Sequence, residues 1–241
     1  MKAVSLFFAF IIIFISFTGM VNVNAINTGF DTCQLPDEEK DSFLTNVSFS
    51  LISEEPVKTT FECFDVNSNE LIAIGQNTSD RKTICVYSNE GCFQYGYTFN
   101  CSGSFGVEWD SENLNVYFAR SSVIVSISPS GEVIDAFEVQ NTVENNSYFN
   151  NFMRSTQRTI GNAEYLIGNN LGILNVLTTS YSQITVKNAG YENIIYDASS
   201  MQFSRVIVTT VIFCVALVVA IVLVLLRLKK KAKTQGKVRN H

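Results

Sequence analysis

The sequence predicts an all-β domain of antiparallel strands, held outside the cytoplasm by one C-terminal transmembrane helix. Three observations carry this. Apolar and polar residues alternate along much of the chain, a strand-turn pattern recurs every 40 or so residues, and Val206 to Leu226 is an uncharged apolar run of twenty-one. A basic segment follows that run at once, with Arg227, Lys229, Lys230, Lys231, Lys233, Lys237 and Arg239.

The two ends set the topology. As a helix rising about 1.5 Å per residue, the Val206–Leu226 run spans roughly 31 Å, the thickness of a bilayer's hydrocarbon core. The first apolar stretch, Val4 to Phe17, has fourteen residues behind Lys2 and is followed by Val23-Asn24-Ala25, a small-residue cleavage pattern. It is too short to span and fits a signal peptide, residues 1–25, leaving a mature chain from Ile26. Residues 26–205 then form the extracytoplasmic domain, 206–226 the span and 227–241 the tail.

Charge orients the span. The 26–205 portion carries nine Lys and Arg against 22 Asp and Glu, while the tail has seven basic residues and no acid. Basic residues close to a span keep their side in the cytoplasm, so the N-terminus is expected outside and the C-terminus cytoplasmic, at the cell membrane. The same lysines, Lys229, Lys230 and Lys231 foremost, are candidate contacts for anionic lipid head groups. An acidic exterior with scattered basic residues also argues against a nucleic-acid partner, which needs clustered Lys and Arg.

The exterior reads as short strands. Phe93, Tyr95, Tyr97, Phe99 and Cys101 fall on one face of an extended chain, with Gln94, Gly96 and Thr98 on the other. Val123, Val125 and Ile127 alternate with Ile124, Ser126 and Ser128, and Phe43, Thr45, Val47, Phe49 and Leu51 suggest another strand near the start. Strand formers dominate throughout. Two units of four strands align. One runs through Phe61–Asp65, Glu70–Gly75, Lys82–Tyr87 and Phe93–Phe99, the other through Phe105–Asp110, Asn113–Phe118, Val123–Ile127 and Val133–Phe137.

In each unit the first strand ends in an Asx-rich turn and the third in a turn closed by Gly91 or Gly131, where a positive φ is expected. Leu71 to Leu114 is 43 positions and Gly91 to Gly131 is 40. A looser third unit has strands at Arg158–Ile160, Glu164–Ile167, Gln183–Lys187 and Asn193–Tyr196, with Asn188-Ala189-Gly190 as its turn. The units cover about 58–100, 101–140 and 155–198.

This period of four short strands resembles β-propeller blades, in architecture alone, since no Gly-His…Trp-Asp signature is present. Closed propellers typically use four to eight blades. Three units therefore imply an open arc, a fourth sheet recruited from the N-terminal segment, or a β-sandwich as the alternative fold.

Asn141 to Asn162 breaks the rhythm with six Asn and the cluster Tyr148, Phe149, Phe152, Met153, Arg154 and Arg158. It reads as a solvated connector, or as a contact loop in which Tyr148, Phe149, Phe152 and Arg154 are the candidate binding residues, the types that interface cores favour.

Catalytic chemistry is sparse. The one histidine is His241, so the exterior has no imidazole for base catalysis, a triad or zinc, and no catalytic residue, metal or cofactor is assigned. Carboxylate chemistry of the glycosidase type would fall to Glu108, Asp110 and Glu112, which otherwise read as turn and strand-end acids facing water. Asp65-Val66-Asn67-Ser68-Asn69 opens like a calcium loop. Glu70 replaces the required Gly and Gln76 the bidentate Glu, so it reads as an Asx turn. Cys33, Cys63, Cys85, Cys92 and Cys101 lie outside, an odd number that leaves at least one unable to pair within the chain; they read as small buried hydrophobes with room for one bridge, and Cys214 lies in the span. Placing Asn89-Glu90-Gly91 in the hairpin loop sets Ser88 opposite Cys92 and Cys85 opposite Tyr95.

Sequons at Asn46, Asn77, Asn100 and Asn145 are about what chance gives in a chain with 23 Asn. Ala216 and Ala220 offer a small-xxx-small pair for homo-oligomerisation through the span. The function expected is a single-pass surface module that binds or scaffolds a protein or glycan. The alternatives are an accessory subunit of a membrane complex and a carboxylate-dependent carbohydrate-active enzyme.

Overall fold

A computed structural model describes residues 26–78, 81–188 and 190–238, the last ten as backbone only. The signal-peptide reading of residues 1–25 lies outside the described residues, as do the side chains of Lys229, Lys230 and Lys231.

Three antiparallel sheets and one long apolar C-terminal helix make up most of the chain. β1 (Thr32–Gln34), α1 (Asp37–Val47) and β2 (Ser50–Ile52) come first. The first sheet is the meander β3 (Phe61–Val66), β4 (Ile72–Asn77), β5 (Lys82–Tyr87) and β6 (Phe93–Phe99), with β2 added beside β6. The second is β7 (Phe105–Asp110), β8 (Asn113–Phe118), β9 (Val123–Ile127) and β10 (Val133–Val139), with β1 added beside β10. After a short helical link the third sheet runs β11 (Gln157–Ile160), β12 (Ala163–Gly168), β13 (Gln183–Asn188) and β14 (Tyr191–Asp197). The N-terminal segment thus extends two existing sheets and builds no fourth one. Each meander follows from the period-2 pattern and turn chemistry read in the sequence.

The last hairpin is built alike in each sheet. Gly91, Gly131 and Gly190 sit at φ of 80°, 86° and 90°, a region open to glycine at little cost. In the first two sheets the serine before the turn, Ser88 or Ser128, receives a glycine N–H on its carbonyl, and its hydroxyl accepts the N–H of Cys92 or Glu132. A register shift follows in all three, at Val86/Tyr87, Val133/Asp135 and Ile184/Thr185. Such a bulge inserts one residue and turns the strand over locally. It corrects two sequence expectations. Cys85 pairs with Gly96 and not with Tyr95, and Phe93 packs on the opposite side of the sheet from Tyr95.

The sheets stack face to face, with the first in the middle. Ile84, Val86, Tyr97 and Phe99 meet Val107, Leu114, Val116 and Val125 of the second sheet in one core. On its other face Phe64, Ile72, Ile74 and Tyr87 meet Tyr165, Ile167, Ile184 and Tyr196 of the third. A smaller core covers the far face of the second sheet, where Phe30, Tyr117, Ile124 and Met153 pack.

Two expectations for irregular segments are corrected. The strand expected through Phe43, Thr45, Val47, Phe49 and Leu51 is instead α1, then the short β2. Asp37, Glu38 and Glu39 fill the first helical turn, where the helix dipole favours acids, and Ser48 ends it at φ 49° with its N–H on the Leu44 carbonyl. Phe43, Leu44 and Val47 then share the helix face toward the core, a spacing that mimics alternation. The Asn141–Asn162 connector is not structureless either. It forms α2 (Val143–Tyr148), capped by the Thr142 hydroxyl on the Asn145 N–H, and continues as a π-turn over Phe149–Met153.

α3 (Ser199–Val238) starts directly after β14, seven residues before the predicted span. The most apolar eighteen-residue window of its Ser199–Leu228 stretch has mean hydropathy 3.2 and none of that window is buried, so the helix is long and apolar enough to cross a membrane.

Candidate functional site

The first strands of the three sheets meet at one junction. Asp65 near the end of β3 is almost fully buried, and its Oδ1 accepts from Arg158 Nε of β11 at 2.6 Å, an ion pair with both side chains 7% exposed. Its Oδ2 accepts the Trp109 N–H of β7 at 2.8 Å, and the indole Nε1 donates to the Asp65 carbonyl at 3.3 Å. Arg158 also donates to the carbonyls of Phe152 and Gln157. One carboxylate and one guanidinium therefore tie three sheets and the π-turn together. Burial pushes the Asp65 carboxyl above its ordinary range, against the pull of Arg158 and the Trp109 N–H.

A second buried acid stands beside it. Glu108, 7% exposed on β7, accepts the Thr28 hydroxyl at 2.6 Å and the Tyr148 hydroxyl. Burial raises its carboxyl, opposed by those two hydroxyls, and burial together with the Glu108 carboxylate raises the Tyr148 phenol. The four oxygens of Asp65 and Glu108 each hold a donor, which leaves neither acid free to act on a substrate as arranged.

Around this junction opens a cleft of about 580 Å³, lined by Asn67, Glu108, Trp109, Phe152, Gln157 and Arg158 among others. Phe152, 37% exposed, stands at its rim between two partners. The Tyr148 ring stacks on it at 4.9 Å and 16°, and the Arg158 guanidinium lies 4.4 Å from its centroid. Gly29 leaves room for Tyr148, because a Cβ there would strike that ring. Asn67 bears out the Asx turn, its Oδ1 accepting the N–H groups of Asn69 and Leu71 at 3.0 and 2.9 Å. Its Nδ2 is buried beside the cleft without a partner.

The candidate binding residues split between environments. Tyr148 is half-buried and turned to Glu108, and Phe149 packs on Tyr117 at 5.1 Å. Phe152 faces the cleft, whereas Arg154 is exposed and lines a separate small cavity with Glu62 and Tyr181. Glu108 departs from the expected water-facing acid, because its strand position points under the N-terminal segment. Asp110 accepts the Asn27 N–H at 3.1 Å, and Glu112 is exposed in the turn. Asp65, Trp109 and the central role of Arg158 were not legible beforehand. The one signal was the single Trp lying between two acids.

Among the described residues no cluster of His, Cys, Asp or Glu could hold a metal ion. The six cysteines are unpaired, and burial pushes the Cys63 and Cys85 thiols up to about 12. The chain matches no protein-family model, no curated protein and no solved structure.

Proposed function

We propose that this chain is a single-pass cell-surface module whose β domain recognises another protein through the cleft where its three sheets meet. The carrying observation is Phe152, held half-open at the cleft mouth between the Tyr148 ring and the Arg158 guanidinium. A rigid aromatic anchored by a buried arginine, with Trp109 lining the same cleft, is the kind of preorganised group on which binding energy concentrates. The unpartnered Asn67 amide adds a donor awaiting an acceptor. The committed oxygens of Asp65 and Glu108 favour this reading over carboxylate catalysis.

The like-built last hairpins and face-to-face packing support reading the meanders as an open, three-bladed, propeller-like array with the first strands inward. In this reading residues 1–25 direct export, the domain sits outside, and Lys229, Lys230 and Lys231 lie on the cytoplasmic face.

The test is photocrosslinking from a benzophenone amino acid at Phe152 in the full-length protein in intact membranes, read by mass spectrometry. The expected result is one protein adduct from position 152, none from the exposed Ser130 hairpin, and loss of that adduct in a folded Trp109→Ala variant. Equal labelling from Ser130, carbohydrate adducts alone, or no adduct overturns the reading.

A further inference from the structure

The third sheet differs from the other two in one connection. Between β12 and β13 the chain runs fourteen residues, 169–182, whereas the corresponding links β4–β5 and β8–β9 take four each. The insert is uncharged, with no Asp, Glu, Lys or Arg between Glu164 and Lys187. Its 3-10 turn, Gly172–Leu177, holds Ile173 at 90%, Val176 at 83% and Leu177 at 57% exposure. Three adjacent aliphatic side chains left open on an uncharged loop mark a surface made for an apolar medium.

The loop is ordered by its own hydrogen bonds. Leu171 N–H donates to Asn175 Oδ1 at 3.0 Å, Asn175 Nδ2 to the Asn169 carbonyl at 3.3 Å, and Thr178 N–H to the Asn175 carbonyl at 3.1 Å. Its base is bolted to the start of α3. Gln202, 3% exposed, donates from Nε2 to Asn169 Oδ1 and to the Ser180 carbonyl, both at 2.9 Å. Leu177 then lines a cavity of about 390 Å³ with Arg205, Val206, Thr209, Thr210 and Phe213.

The depth of that cavity is fixed by the span. Twenty-one residues just cover a hydrocarbon core of roughly 30 Å, so Val206 lies near its outer boundary. Phe213, seven residues on, lies roughly 10 Å deeper. A side chain sharing a groove with both is at or below the head groups.

We infer that the 169–182 loop is a membrane seat: Ile173, Val176 and Leu177 enter the outer leaflet beside the helix and set the height and tilt of the β domain. The inference rests on reading Val206–Leu226 as the membrane span. Its chemistry is coherent. Apolar side chains gain by leaving water, no charge must be desolvated, and internal bonds satisfy part of the loop backbone. Arg205 can extend its guanidinium to the head groups from the same level.

The experiment places the full-length protein in phosphatidylcholine vesicles brominated near the head-group end of the acyl chains. Ile173→Trp and Val176→Trp are each compared with wild type, in which Trp109 supplies a constant background. Val143→Trp, exposed elsewhere on the domain, and Leu217→Trp, within the span, serve as references. Expected is a blue-shifted added emission at 173 and 176, quenched several-fold more than that at 143. Absent quenching at both loop positions while deep-brominated lipid quenches Leu217→Trp overturns the seat and leaves the span standing. Equal quenching at 143 also overturns it. An unquenched Leu217→Trp removes the span itself.

Discussion

Glu108 is an acid held out of water, and its titration tests how the N-terminal segment is attached. Burial raises its carboxyl above the ordinary value, outweighing the hydroxyls of Thr28 and Tyr148. The folded state then binds this proton more tightly than the unfolded chain. The stabilisation from protonating it is complete below the unfolded value and fades as pH rises through the raised one. At neutral pH the charged carboxylate therefore opposes folding, and Glu108→Gln removes that opposition while keeping an acceptor and a similar shape. The variant is expected to gain thermal stability relative to wild type at neutral pH, and the gain should shrink as pH falls to about 4.5. Thermal unfolding of both proteins in detergent across that range is the measurement. A gain independent of pH would mean that Glu108 titrates normally in the fold.

At the scale of elements, the Asp65–Arg158 pair clamps β3 to β11 across 93 residues of sequence. Arg158→Met leaves a buried carboxylate without its guanidinium partner, and a loss of about 3–5 kcal/mol is expected. Adding Asp65→Asn removes the orphaned charge but keeps an acceptor for the Trp109 N–H, so the double variant should recover much of the loss. Denaturant unfolding followed by Trp109 fluorescence measures it, since the only Trp reports on the junction itself. Strictly additive losses would show that the two residues act separately.

The same pair shows where reading the sequence stops. β5 and β6 were legible because Lys82–Tyr87 is a short run of strand formers, Phe93–Phe99 alternates, and a glycine turn separates them. Their bulge was not, because one extra residue leaves no mark in composition. α1 was misread because Phe43 and Val47 satisfy both a strand and a helix period, while the acids that settle it lie in the turn before. Asp65 and Arg158 carry no local sign of each other, since only the stacking of sheets one and three brings them together. For the same reason Phe152 stands out in the sequence only as a residue type that interfaces favour, without the cleft that gives it a setting.

The whole molecule joins a β domain of net charge −13 to a basic tail through a single apolar helix, and its glycan pattern would report both its fold and its sidedness. Asn46, Asn77 and Asn100 are exposed on the first sheet and its flanking segment. Asn145 is 4% exposed, and its side chain is fully used. Oδ1 accepts the Asp31 N–H at 2.8 Å, and Nδ2 donates to the carbonyls of Asp31 and Gln140 at 2.9 and 2.7 Å. It joins α2 to the strand that extends the second sheet, so a glycan there is incompatible with the folded domain. Expressed in a eukaryotic secretory pathway, the folded protein is expected to carry a glycan at one or more of Asn46, Asn77 and Asn100 and none at Asn145. Enzymatic deglycosylation in heavy-oxygen water followed by peptide mass mapping reads each site separately. No glycan at any site would place the domain on the cytoplasmic side, against the charge asymmetry. Full occupancy of Asn145 in the folded protein would mean that α2 does not pack where its buried asparagine puts it. Because sidedness and packing fail at different sites, one map tests the orientation of the helix and the closure of the domain independently.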